Sequence, residues 1–501
     1  VKPVLADPTR LRRRGGWVAC ALGACLAACV LLAATPAGAQ PSPPAAHEDA
    51  AFDFMNLLTD HGLHDIHDEA WNVYGQSTAI SLWKPPFQAP YTNTNGSVNS
   101  LAPGAEQSYS WTVTLFFGLR LWRGGEVYFS PEVITEQTLS NLKGIGAAHE
   151  NFEFQKTGGR TPALYRSRAF FRQTFGFGGQ RVEKTSDPLQ LATVADGRRL
   201  VVTLGNFSAL DVLDKNGVVG DSRQGFLNQS FMTYAAYDFP ADARGYSWGA
   251  AAELYWDDWA IRAATLVPPQ NPNGQALDLT YRYWGDSLEI EHDHVIVGQA
   301  GAVRLLGYLN YENTGRFNEA IAAFQADPTK NAASCGTLYN YGSGNFRAPD
   351  LCWVRRPHAK LGVGVNLEQH VASDVGLFFR GMITDGQSEV DAYDSSDYSL
   401  SVGALAKGSL WHRPFDVTGA GFAMSWASDI HAQYLAMGGI DGFIGDGRLR
   451  HAPEGAIDVF YSLNLFKALW LSADYQRIWN PAYNADRGPV DIFGGRVHVE
   501  F

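Results

Sequence analysis

The sequence predicts an all-β chain: a single 16-stranded antiparallel transmembrane β-barrel with short periplasmic turns and long extracellular loops. Three observations predict it. Apolar and polar residues alternate with period two from about residue 70 to the end, as in strands with one apolar and one polar face. The links between these runs alternate between short and long, as barrel turns and loops do. Gly makes up 52 of 501 residues and aromatics 13%, while only 18% are charged, which suits many turns and wide apolar surfaces. The formal net charge of −12 argues against a nucleic-acid binder, whose footprint is basic. A mean hydropathy of −0.17 with one long apolar run excludes a multi-spanning helical membrane protein.

That run, Trp17 to Ala34, follows Arg12, Arg13 and Arg14 and precedes Ala37-Gly38-Ala39. A basic start, an apolar centre and a small-residue exit describe a secretory signal over 1–39. An uncleaved anchor is the alternative, but no stop-transfer flank follows. The lipoprotein-like Leu26-Ala27-Ala28-Cys29 is followed by further apolar residues. Export removes five basic residues and Asp7, leaving a formal charge of −16. It leaves Cys335 and Cys352 as a candidate disulfide in an oxidising compartment. Residues 40–70 read as a Pro/Ala-rich stretch and a short polar helix, a periplasmic tail before the barrel at 71–501.

The alternating runs fall at 71–82, 108–122, 126–135, 165–178, 198–207, 247–256, 258–267, 277–293, 302–313, 357–369, 374–384, 398–409, 417–427, 455–465, 468–479 and 489–501. Trp111, Val113, Leu115, Phe117, Leu119 and Leu121 share one face of theirs. Leu361, Val363, Val365 and Leu367 alternate with Gly362, Gly364, Asn366 and Glu368. Short links at 123–125, near 257, 370–373 and 466–467 alternate with long ones at 136–164, 208–246, 314–356 and 428–454. The links 179–197 and 294–301 are longer than the scheme wants. Strands of about 9–11 residues span a bilayer when closure pairs every backbone group. Trp122, Tyr311, Trp426 and Trp479 near strand ends suit the membrane interface. Phe317, Ile321 and Phe324 share a face, predicting a helix over 315–328.

Several segments resemble the carbohydrate-selective porins (OprB-like). They include Gly75-Gln76-Ser77-Thr78, Leu121-Trp122-Arg123-Gly124-Gly125-Glu126, Phe170-Phe171-Arg172-Gln173-Thr174 and Asp238-Phe239-Pro240-Ala241-Asp242. The most specific are Asp474-Tyr475-Gln476, Asn480-Pro481-Ala482-Tyr483-Asn484 and Asp486-Arg487-Gly488-Pro489-Val490. The resemblance covers roughly 70–501 and implies a sixteen-stranded outer-membrane barrel that passes sugars by diffusion. The terminal Phe501 resembles the C-terminal signal read by the barrel assembly machinery.

A diffusion channel needs a polar lumen and a constriction rather than a nucleophile. Alternation places Arg166, Arg168 and Arg172 on one face. Three arginines in lipid would cost roughly 2–4 kcal/mol each at the midplane, so that face is expected in the lumen as a basic ladder. Arg120, Arg262, Arg282, Arg304 and Arg380 fall on non-apolar faces by the same reasoning, with Glu253, Glu368 and Asp474 as acids. The loop 208–246 carries Asp211, Asp214, Asp221 and Asn228. Its acids are expected to face the ladder across a constriction, or else to cap the loop at the surface.

Other patterns carry less. Gly245-Tyr246-Ser247-Trp248-Gly249 matches a nucleophile elbow, but a strand rather than a helix follows it. His61, His64 and His67 lack a fourth metal ligand. Asp441 and Asp446 are too few for a calcium loop. No catalytic residue, metal or cofactor is expected. The expected partners are small carbohydrates, outer-membrane lipid and lipopolysaccharide, with a monomer or a trimer both open. The alternatives are a barrel enzyme acting on lipid or lipopolysaccharide, and a soluble secreted β-protein that binds without a channel.

Overall fold

The computed structural model describes residues 54–154, 159–220, 222–329 and 347–501. The expected signal segment, Asp221 and Cys335 lie outside the described residues. The strands are β1 (Trp71–Lys84), β2 (Glu106–Trp122), β3 (Gly125–Gln137), β4 (Ala163–Gly176), β5 (Arg181–Lys184), β6 (Thr193–Asp196), β7 (Arg199–Phe207), β8 (Ser247–Trp256), β9 (Trp259–Leu266), β10 (Trp284–Ile296), β11 (Gln299–Thr314), β12 (Arg356–Ala372), β13 (Val375–Thr384), β14 (Tyr398–Lys407), β15 (Val417–Trp426), β16 (Glu454–Leu465), β17 (Leu469–Trp479) and β18 (Val490–Glu500). All but β5 and β6 close into one barrel of sixteen antiparallel strands, and β5–β6 form a separate hairpin.

The seam pairs β1 with β18 from Gln76↔Glu500 to Trp83↔Phe493. Phe501 and Gly75 exchange both backbone hydrogen bonds there, at 2.9 and 2.7 Å. The Phe501 ring lies so close to Gly75 that a Cβ at that position has no room.

Period two fixes which face meets lipid. Leu119, Leu288, Leu305, Leu361, Val402 and Val497 are exposed, while the alternate positions of their strands are turned inward. Trp83, Trp111, Trp122, Trp256 and Trp259 are exposed as well, as amphipathic rings at membrane interfaces are. Among the described residues no helix is long and apolar enough to cross a membrane.

Two sequence expectations need correction, and a third finds its explanation. The link 294–301 contracts to a turn at Val297 and Gly298, both with positive φ (52° and 76°), because β10 and β11 extend into it. The strand expected to start at 277 starts at Trp284. The link 179–197 is long because it holds the β5–β6 hairpin.

The helix expected over 315–328 runs Phe317–Ala326, and a second, unforeseen one covers Asp429–Ala436. A short helix, Phe54–Asp60, leads into β1 and buries Met55 against Tyr74 and Phe116.

Candidate functional site

The segment 208–246 leaves β7 and crosses the barrel interior, held by side chains from strands all around the wall. A capping box starts it. Ser208 accepts from the Leu210 N–H and Asp211 accepts from the Ser208 N–H. This turns the Asp211 carboxylate to β4, where Arg168 grips it bidentately at 2.7 and 2.6 Å. Such a fork adds direction as well as strength.

Further along, Arg380 of β13 donates to the Asp214 carboxylate (3.0 Å) and to the Phe231 carbonyl (3.0 Å). The Gly217 N–H meets Glu368 of β12. Asp458 of β16 accepts from the Leu227 and Asn228 N–H groups. Arg496 of β18 donates to the carbonyls of Ser222 and Gly225. The segment returns to the wall at Asp238, which accepts from Lys360 Nζ at 2.9 Å. Both partners are buried.

Between these anchors the loop packs aromatics on the inner wall. Phe226 stacks on Phe231 at 4.8 Å and meets Phe460 edge-on at 5.0 Å. Each fully buried ring of this size contributes about 1.5–3 kcal/mol, which holds the segment inside the barrel.

One stretch of wall carries a row of alternating charge set by strand register. Arg262 of β9 lies opposite Glu253 of β8 and Glu289 of β10. It donates to Glu289 (3.0 Å) and Glu291 (2.7 Å). Arg304 of β11 pairs with Glu291 and, at 3.1 Å, with Glu368. These guanidiniums are inside a polar lumen with acids on both sides, so neither charge is left bare. On the far wall Asp474 accepts from Gln476 at 2.9 Å.

The ladder on β4 is not straight. The β3–β4 register shifts so that Ser130 pairs with Arg168 and Pro131 with Arg166. Ser167 is the extra residue of this bulge, which reverses the facing of everything before it. Arg166 is therefore on the outer face, over the Trp248 ring at 4.9 Å and near Asn206. Tyr165 takes the inward place and bonds Glu132.

Arg172 faces inward nearer the periplasmic end, donating to the Leu189 carbonyl at 2.8 Å rather than to an acid of 208–246. Arg120 reaches Asp68 (2.6 Å) and the Ala192 carbonyl (3.0 Å) at that same end. Arg282 is outside the strands, in the outer loop beside Asp278. Of the loop acids, Asp211 meets the ladder, while Asp214 meets Arg380 on another wall. Asn228 bonds Gln476 at 2.9 Å.

Ser247 opens β8 and its hydroxyl bonds the Val267 carbonyl; a strand follows it. His61 sits on the Leu57 carbonyl and His64 on Glu69. Among the described residues no group of three or more His, Cys, Asp or Glu is placed to hold a metal. Asp441 lies beside His431 and Asp446 beside Asn484. Cys352 is disulfide-bonded.

Sequence reasoning missed Arg223, whose guanidinium reaches Glu153 at 2.7 Å, because loop contacts leave no periodic signal. Arg496 stood on the polar face of the last run and could have been found from alternation alone.

An apolar outer wall, a charged interior and a loop folded across it define an outer-membrane porin. The family model "Carbohydrate-selective porin, OprB family" matches residues 99–501, and the chain belongs to that family. Its fold is similar to the high-pH structure of Pseudomonas putida OprB. Identity is 14% and the TM-score 0.58, with 89% of this chain and 96% of that one covered. The low-pH structure of Pseudomonas putida OprB is 12% identical with a TM-score of 0.45, covering 91% and 100%. The outer membrane channel DcaP of Acinetobacter baumannii is 10% identical with a TM-score of 0.47, covering 86% and 97%. A search of curated proteins finds no match.

Proposed function

We propose that this porin passes small carbohydrates by passive diffusion and selects them where 208–246 crosses the lumen. The observation that carries this reading is the bidentate Arg168–Asp211 pair, joining the inner wall to the crossing segment. A guanidinium offers paired N–H donors that suit vicinal hydroxyls, and a channel must replace sugar hydration without holding the sugar too tightly to release it. Tyr246 lies 5.1 Å from the Arg168 guanidinium and supplies an aromatic face at the same place. No nucleophile is needed for this task. In this reading Phe501 at the seam is the residue read during barrel assembly. Single-channel recording tests the site. Arg168→Ala is expected to weaken block of the ion current by glucose several-fold, and an unchanged half-blocking concentration contradicts the assignment.

A further inference from the structure

At the periplasmic end the lumen gathers cations that the network above does not neutralise. Lys184 comes from the β5–β6 hairpin and Lys215 from the crossing segment. Among the described residues neither ammonium makes a side-chain hydrogen bond or ion pair. Arg172 and Arg199 extend from the wall strands β4 and β7. Arg172 bonds only a backbone carbonyl. Arg199 bonds only the carbonyls of Asp196 and Gly197, both at 3.3 Å, and lies over the Tyr255 ring at 4.0 Å. The Nε atoms of both arginines are buried without a partner.

The groups sense one another. Burial and then the guanidiniums of Arg199 and Arg172 push the Lys184 ammonium down to about 8. Burial lowers the Lys215 ammonium, the carboxylates of Asp211 and Glu253 support its charge, and the guanidiniums of Arg172 and Arg262 oppose it.

Two carboxylates share this space. Glu126 accepts from Tyr128 Oη (2.8 Å). Glu253 accepts from Tyr255 Oη (2.6 Å) and lies 3.7 Å from Arg262. Asp211 is committed to Arg168, and Glu289 and Glu291 to Arg262 and Arg304. Four cations thus face two acids, a local positive excess inside a chain of net charge −12. Unpaired cations in a narrow, partly desolvated passage attract a counter-ion more strongly than they would in water. The Arg172 guanidinium lies over the buried rings of Tyr128 and Phe170, and that of Arg199 over the half-buried Tyr255 ring, which holds both cations in place.

We propose that Arg172, Lys184, Arg199 and Lys215 form an anion site at the periplasmic mouth that favours monosaccharides carrying a carboxylate, such as uronates, over neutral sugars. The proposal rests on the reading of the barrel as a sugar channel and names a substrate class for it.

The test is block of single-channel KCl current by glucuronate and by glucose. Wild-type protein and the Lys184→Gln/Lys215→Gln double variant are compared, each checked for folding by heat-modifiable migration. In the wild type glucuronate is expected to block at about tenfold lower concentration than glucose, with the double variant bringing the two values together. A zero-current potential favouring chloride in a KCl gradient is expected of the wild type, a readout that needs no variant to fold. Equal blocking concentrations in the wild type, a double variant that keeps the difference, or a potential favouring potassium overturns the site. If glucose passes and glucuronate has no advantage, only the anion site fails. If neither sugar passes or blocks, the sugar-channel reading fails with it.

Discussion

The middle of the lumen and its periplasmic mouth use the same residue types differently. In the middle, Arg168, Arg262, Arg304 and Arg380 each meet a carboxylate, and two of those acids, Asp211 and Asp214, belong to the crossing segment. At the mouth, Lys184 and Lys215 meet none, and Arg172 and Arg199 meet only carbonyls. A paired charge is committed to geometry: it fixes where the segment lies and so how wide the passage is. An unpaired charge beside water stays available to a passing solute. In this reading the first region sets the shape of the passage and the contacts of a neutral sugar, the second adds a preference for charged solutes, and variants can separate the two.

The largest effect is expected at Lys360, whose fully buried ammonium ties the end of the crossing segment to the wall. Lys360→Ala leaves Asp238 without its counter-charge, although that carboxylate still accepts from the Asp391 and Ala392 N–H groups. Removing one partner of a buried pair costs about 3–5 kcal/mol. The temperature of the heat-modifiable shift is expected to fall, and an unchanged value contradicts the anchoring role.

Arg380→Ala also breaks a buried pair, and its distinctive effect is expected on the pore. It releases Asp214 and the Phe231 carbonyl from β13, loosening the crossing segment. Single-channel conductance is expected to rise; a conductance equal to wild type would show that the segment is held without it.

A third effect concerns the outer loops. His431 is fully buried between Asp397 (2.9 Å) and Asp441 (3.2 Å) and stacks on Phe317 at 4.1 Å. Burial opposes a charged ring, but the two carboxylates outweigh it and push the imidazole up to about 9. A folded value above the ordinary 6.5 means that the stabilisation is complete below about 6.5 and is lost as pH rises through about 9. It amounts to on the order of 3 kcal/mol. Limited proteolysis of the loops between pH 6 and 10 is expected to accelerate above 9. His431→Gln is expected to remove that pH dependence, and acceleration on the acid side would contradict the assignment.

The smallest effect is a control. Arg166→Ala changes a residue on the outer wall, so sugar flux is expected to match wild type. A marked change would return Arg166 to the lumen and undo the bulge at Ser167.

Strand positions apart from the start of β10, the faces of β2 and β12 and the antiparallel barrel were legible from alternation and from the order of short and long links. The family was legible from the resemblance of segments such as Asp474-Tyr475-Gln476. Arg166 was misread because period two assumes an unbroken ladder, and one extra residue inverts every facing beyond it. Arg282 was misread because Tyr281-Arg282-Tyr283-Trp284 alternates as a strand would, though the strand begins only at Trp284. The choice of Asp214 for Arg380, 166 residues apart, depends on the path of the crossing segment through the lumen, which no local pattern encodes. Lys184 and Lys215 lie in a small hairpin and a crossing loop, where periodicity says nothing about facing.

Liposome swelling with purified, refolded protein tests the central claim most directly, using glucose, a disaccharide and an uncharged polyol matched in size to glucose. The account predicts faster swelling with glucose than with the matched polyol, and slower swelling with the disaccharide. Equal rates for glucose and polyol, or no swelling from a folded, heat-modifiable barrel, would contradict it.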